Sequence, residues 1–99
     1  MDEMLVTFYC AKADAEGLIA VLRTASGAPV HVRHEQVFGH DFGDARTAEQ
    51  VRGSMDRAAI TLTAAARDLE ALVAVVTDAR RAMPVRWHAV ALDARGRIE

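Results

Sequence analysis

The first regular stretch of the chain, residues 4–10, is rich in the β-branched and aromatic residues that favour strands. One face of this strand would carry four residues: Met4, Val6, Phe8 and Cys10. The other face would carry Leu5, Thr7 and Tyr9. Because both faces are largely apolar, the pattern predicts a central strand covered on both sides.

The period then changes to that of a helix over residues 13–25, where Leu18 and Leu22 share one side. Asp14 is the predicted N-cap of this helix, and Gly27 is the predicted stop. A second strand is predicted from Val30 to about Val37, since apolar and polar residues alternate there. The many polar residues in this strand indicate that it lies at the edge of the sheet.

The third strand is predicted to begin near Arg57 and to continue to Thr63. The strongest local signal follows, a helix from about Ala65 to Ala82 that Pro84 ends. Its apolar stripe has helical spacing and consists of Leu69, Leu72, Val73, Val76 and Ala79. A fourth strand is predicted from Val85 to Leu92.

The order β-α-β-β-α-β predicts one α+β domain over residues 1–99, with a ferredoxin-like fold and a four-stranded antiparallel sheet. Right-handed crossovers place strands 1 and 3 in the centre, with strands 2 and 4 at opposite edges. Two helices can cover only one face of this sheet. The other face would carry apolar side chains from at least three strands, so we expect an oligomer with cyclic symmetry that buries it.

The stretch from Phe38 to Arg57 interrupts this regular pattern. It is the most charged and least periodic part of the chain, and it contains three glycines. A segment this long without its own core is usually functional or disordered. The sequence therefore predicts a loop that the rest of the domain presents to a ligand or partner.

Bulk properties exclude several classes of function. The net charge of −2 predicts no general affinity for nucleic acid or for anionic membranes. No apolar run approaches the ~20 residues that span a bilayer, so we expect no membrane insertion. The acidic start is unlike a signal peptide, and the lone Cys10 fits a reducing compartment, so the expected location is the cytoplasm. Cys10 itself is predicted to be a buried structural thiol.

The four histidines suggest a metal site. His31 and His34 are three residues apart on a predicted strand, so they point to opposite faces and cannot chelate one ion together. His34, His40 and His88 could meet only across a contact between subunits. The simpler interpretation is that these are solvated histidines at the edges of the sheet.

The arginines near the loop give a second indication. They are Arg46, Arg52 and Arg57, with Arg95 and Arg97 near the C-terminus. Guanidinium groups beside flexible backbone N–H groups suit phosphate or carboxylate ligands. The alternative is ordinary surface charge that pairs with nearby acids.

Particular residues of the loop resemble a known family. They are Val37-Phe38-Gly39-His40, then Ala48-Glu49-Gln50-Val51-Arg52-Gly53, then Arg57 before a strand. Together with Glu16, Leu18 and the ending Gly96-Arg97-Ile98, they resemble a short branch of the PII-like proteins, which are related to nitrogen regulatory PII proteins and to CutA proteins. The chain departs from nitrogen-sensing PII proteins in its shorter loop, which has no tyrosine, and in Pro84, which leads directly into Val85 without a glycine-rich loop.

The resemblance implies a trimeric signalling protein, not an enzyme, with the open faces of the sheets turned inward. Such proteins bind adenine nucleotides or other small anions between subunits. The implied effector site consists of His40, Glu49, Gln50, Arg52, Gly53 and Arg57. The implied partner is a membrane transporter, reached through the 38–57 loop, because this branch is often encoded beside heavy-metal efflux pumps.

Two alternatives stay open. The first is a CutA-like protein that binds a divalent metal through His34, His40 and His88. The second is a small ferredoxin-like dimeric enzyme with a cavity between the sheet and the helices. The sequence does not choose between a nucleotide and a metal as the bound group.

Overall fold

The computed structural model describes residues 2–39 and 54–99. Its elements are β1 (Glu3–Ala11), α1 (Lys12–Ala25), β2 (His31–Phe38), β3 (Ser54–Ala65), α2 (Leu69–Asp78) and β4 (Arg86–Ala91). The strands form one antiparallel sheet in the order β2-β3-β1-β4. The predicted α+β fold and the central position of strands 1 and 3 are confirmed. Over these described residues, neither helix has the length and apolar character needed to cross a membrane.

The core lies between the helices and one face of the sheet. Phe8 of β1 lies opposite Ile60 of β3, and both are fully buried. The other members of this cluster include Val6, Cys10, Leu18, Leu22, Ala58, Leu62, Leu72 and Val76. Cys10 is free and buried, as predicted. Burial of each large apolar side chain in such a core contributes about 1.5–3 kcal/mol.

The third strand is longer and the second helix shorter than the sequence predicts. β3 begins at Ser54, which pairs with Phe38 of β2, and continues to Ala65, which pairs with Glu3 of β1. This pairing outweighs the high helix propensity of alanine at positions 64 and 65. A 3-10 turn, Ala66–Asp68, then leads into α2.

Asp14 is not the N-cap of α1. The cap residue is Ala11, and Asp14 lies in the first turn of the helix, almost fully buried. Its carboxylate accepts hydrogen bonds from the backbone N–H groups of Ala82 (3.0 Å) and Met83 (3.1 Å). Asp14 therefore joins the start of α1 to the connection between α2 and β4, and residues 79–82 are outside the helix.

We expect Asp14→Ala to lower the free energy of unfolding by about 2 kcal/mol or more, since it leaves two part-buried N–H groups without their charged acceptor. Glu16→Ala is the matched control, because Glu16 is exposed on the same helix. Its effect should stay within about 0.5 kcal/mol. Urea unfolding of both variants measures the difference. Equal stability of the two variants would show that the Asp14 contacts contribute nothing.

Candidate functional site

The face of the sheet opposite the helices, here called the open face, carries a buried arginine. Arg57 on β3 is 1% exposed. In the sheet register it lies between Glu35 of β2 and Ala11 of β1. The short side chain of Ala11 leaves room beside the long guanidinium chain. Arg57 donates from its terminal nitrogen to the backbone oxygen of Asp56 at 2.9 Å.

This position corrects the sequence interpretation of Arg57. The residue was expected at the boundary between the loop and the third strand, but it is the fourth residue of β3. A strand fixes the backbone on both sides of a residue through ladder hydrogen bonds. The guanidinium group is therefore held by the sheet and not by a loop.

A groove of about 440 Å³ runs along the open face beside Arg57. This open-face groove is lined by Tyr9, Glu35, Val37, Met55, Arg57, Arg86 and His88, with Trp87 at its margin. The lining residues come from all four strands. The site therefore exists only when the whole sheet is assembled in this register.

Cations outnumber acids around the groove among the described residues. Arg57 and Arg86 line it, and Arg33 lies one register row from Glu35 on the same face. Glu35 is the one acid in the lining, and its carboxylate already accepts from Arg33 at 3.1 Å. Arginines therefore outnumber carboxylates among the described lining residues of the open-face groove.

An aromatic pair borders the groove. The rings of Tyr9 and His88 have centroids 5.4 Å apart and are tilted by 45°. One row further along the sheet, the hydroxyls of Thr7 and Thr61 share a buried hydrogen bond of 3.3 Å. These contacts link β4 and β3 to β1 across the open face, and they hold His88 near the arginines.

The open face is more polar than the sequence predicts. Leu5, Val37, Met55 and Val90 do supply apolar side chains from all four strands. They alternate along the strands with the threonines, His88 and the arginines described above. The apolar fraction alone is therefore a weaker argument for a buried oligomer contact than the sequence suggested.

Most of the predicted effector residues fall in the part of the chain that the structure does not describe. His40, Glu49, Gln50, Arg52 and Gly53 lie outside the described residues. Of the predicted set, Arg57 alone falls within them. Arg86, Tyr9 and Glu35 were not predicted as site residues. Strand alternation did place Arg86 and His88 on one face, but only the register with β1 brings them beside Tyr9 and into the groove with Arg57.

The described residues include two of the three histidines that were predicted to bind a metal. His40 lies outside the described residues, while His34 and His88 lie on opposite edge strands. His34 pairs with Ala58 on the helix side, whereas His88 pairs with Thr7 on the open face. Three strand spacings, about 14 Å, separate them across the sheet. Over residues 2–39 and 54–99, no three His, Cys, Asp or Glu side chains are grouped closely enough to hold a metal ion.

Two larger clefts lie elsewhere and are weaker candidates. One, of about 610 Å³, includes Arg95, but this arginine forms an ion pair with Glu3 at 3.0 Å. The other, of about 620 Å³, lies between α2 and Trp87. In its described lining the cation Arg67 is outnumbered by Glu70 and Asp78. In neither cleft do arginines outnumber carboxylates among the described lining residues, as they do in the open-face groove.

Burial makes Cys10 a poor nucleophile. Desolvation raises the pKa of its thiol to about 11, and the nearby carboxylate of Asp14 adds to this effect, while Arg57 opposes it. The thiolate is the reactive form, and two pKa units lower its fraction about 100-fold near neutral pH. Cys10 therefore acts as a packing residue of the core.

The raised pKa of Cys10 predicts a loss of stability in alkali. The folded chain keeps a proton that the unfolded chain releases between about pH 9 and pH 11, so the free energy of unfolding should fall as the pH rises through this interval. Cys10→Ala should show a shallower decline from pH 8.5 to 10.5 in chemical unfolding. Identical slopes for the two proteins would contradict the assigned pKa.

One protein family and several solved structures match this chain over almost its whole length. A family model described as "Protein of unknown function (DUF3240)" matches residues 2–99. No curated protein matches the chain. The chain is similar in structure to a DUF3240 family protein from Shewanella baltica OS155, with a TM-score of 0.77 and 10% sequence identity, covering 100% of this chain and 99% of that one.

Two further solved structures share the architecture. A Bacillus cereus protein related to NIF3 has a TM-score of 0.71 and 15% identity, and the match covers 95% of this chain but only 26% of that protein. A functionally unknown protein from Pediococcus pentosaceus has a TM-score of 0.63 and 9% identity, with 99% of each chain covered. At these identities the similarity extends to the fold alone.

Proposed function

The chain belongs to the DUF3240 family, whose function is unknown, and we propose that it is a PII-like regulatory protein that binds a small anionic effector in the open-face groove. The observation that carries the proposal is the buried guanidinium of Arg57 among residues from all four strands. An arginine is always charged and presents its donors in a fixed fork, which suits the recognition of phosphate or carboxylate.

Binding without catalysis is the simplest use of this arrangement. Arginine does not release its proton at physiological pH, so neither Arg57 nor Arg86 can act as a general acid or base. What both can do is neutralise and orient an anion. The proposed function is therefore recognition of an effector, with regulation following from the change in bound state.

The proposed assembly is a trimer with its open faces turned inward, as in the PII-like proteins that the sequence resembles. Two observations support it: part of the open face is apolar, and both edge strands, β2 and β4, have one unpaired side within the described chain. In this assembly the groove would lie near subunit contacts. The proposed partner is a membrane transporter of the heavy-metal efflux type, contacted through the 38–57 segment.

The assembly has a direct test. Native mass spectrometry or light scattering should give three times the chain mass of 10.7 kDa. A mass of one chain at micromolar concentration would contradict the trimer. It would leave the groove itself, which lies within one chain, open to a separate binding test.

Binding should depend on the arginines of the groove. We expect calorimetric titration with inorganic phosphate and with adenosine diphosphate to detect binding of at least one of them. Arg86→Gln should weaken that binding about tenfold or more, because a hydrogen bond to a charged ligand contributes about 1.5–3 kcal/mol. Arg86 is exposed at the edge strand, so this variant should fold.

Arg23→Gln is the control for overall charge, since Arg23 is exposed on α1, on the far side of the sheet from the groove. It should bind like the unmodified chain. Equal weakening by Arg86→Gln and Arg23→Gln would mean that the groove is not the binding site. No heat with any anion at millimolar concentration would reject the effector proposal.

A further inference from the structure

The open-face groove has two chemically different ends. Val37 and Met55 face each other in the register of β2 and β3, and they form a small apolar cluster separate from the main core. Met55 is 2% exposed, while Val37 is half-buried and lies over it at the edge of the sheet. Of the described residues in this row, Val37 and Met55 offer a ligand apolar contact and carry no charge.

The other end is cationic and aromatic. Arg86 pairs with Tyr9 in the register of β4 and β1, and His88 contacts the Tyr9 ring. Arg57 lies between the two ends, two residues from Met55 along β3. Glu35 lies opposite Arg57 in this middle row, so among the described lining residues the net positive charge is greatest toward Arg86.

The distance between these ends limits the size of a ligand that uses both. Met55 and Arg86 are separated by two strand spacings and four residues along the strand, roughly 16 Å between backbone positions. An inorganic phosphate ion at Arg57 or Arg86 would leave the Val37 end without contact. A volume of about 440 Å³ is also that of a site for an organic molecule.

From this arrangement we propose that the effector is an organic anion with an apolar body, whose acid group meets Arg57 and Arg86 and whose body covers Val37. This inference rests on the proposed binding function and adds the chemical class of the ligand. Phosphate monoesters and carboxylates of this shape share the required chemistry. The apolar end then selects among anions that the arginines alone would bind equally.

The test compares methyl phosphate with phenyl phosphate, which share a headgroup and differ in the apolar body. We expect phenyl phosphate to bind the full chain at least about tenfold more tightly in calorimetric titration, because its ring buries apolar surface on Val37. Benzoate against acetate repeats the comparison for carboxylates. If the phosphate pair and the carboxylate pair show the same preference, the higher affinity comes from the apolar body and not from the phosphate group.

Val37→Thr tests where the apolar body lies. Threonine keeps the branched shape and strand preference of valine but places a hydroxyl in the groove. It should reduce the advantage of phenyl phosphate about threefold or more and leave methyl phosphate binding unchanged. Val90→Thr is the matched control, since Val90 is 49% exposed on the open face of β4 and does not line the groove.

The outcomes separate this inference from the proposed function. Equal affinity for methyl and phenyl phosphate would overturn the amphiphilic ligand and leave anion binding in place. Loss of the preference in Val90→Thr but not in Val37→Thr would also overturn it. No binding of any of the four probes, with binding of inorganic phosphate or adenosine diphosphate retained, would overturn this inference alone. No binding of any of these six anions would reject both proposals together.

Discussion

The antiparallel pairing of β1 with β3 is the constraint on which the other features depend. It sets Phe8 against Ile60 on the helix side and Ala11 against Arg57 on the open face. A slip of one residue would exchange these faces, placing the charged Arg57 in the apolar core. The cost of that exchange fixes the register, and the register in turn fixes which residues of β2 and β4 join the groove.

The two faces of the sheet differ in the contacts that they make. On the helix side, Leu18 and Leu22 of α1 pack against the sheet, and Asp14 ties that helix to the chain after α2. On the open face, polar and apolar residues alternate around Arg57. A substitution on the open face at an exposed position such as Arg86 can therefore alter the open-face groove without removing a contact of the main core.

The pattern of apolar residues predicted the fold because each element shows its own period. The alternation in residues 4–10 and the stripe at Leu69, Leu72 and Val76 identify a strand and a helix without further information. Local sequence patterns gave a wrong prediction where a contact with a residue far along the chain determines the structure. Ala65 belongs to a strand because Glu3 pairs with it, and Asp14 binds backbone groups 68 and 69 residues away.

The candidate site was harder to predict for the same reason. Arg57 was identified from its position near glycines and a predicted strand, but Arg86 and Tyr9 become neighbours only through the β1–β4 register. Nothing in the local sequence around Arg86 distinguishes it from a solvated edge residue. Five of the predicted effector residues, His40, Glu49, Gln50, Arg52 and Gly53, lie outside the described chain and stay predictions.

The burial of Arg57 has its own physical consequence. Moving a guanidinium out of water costs several kcal/mol, and paired buried charges often contribute less stability than apolar residues of similar volume. With Ala11 on one side and Glu35 on the other, a methionine at this position would fill comparable space without that cost. The anion proposed for the open-face groove would offset part of that cost, because a preorganised guanidinium in a low-dielectric site binds an anion more strongly than the same group does in water.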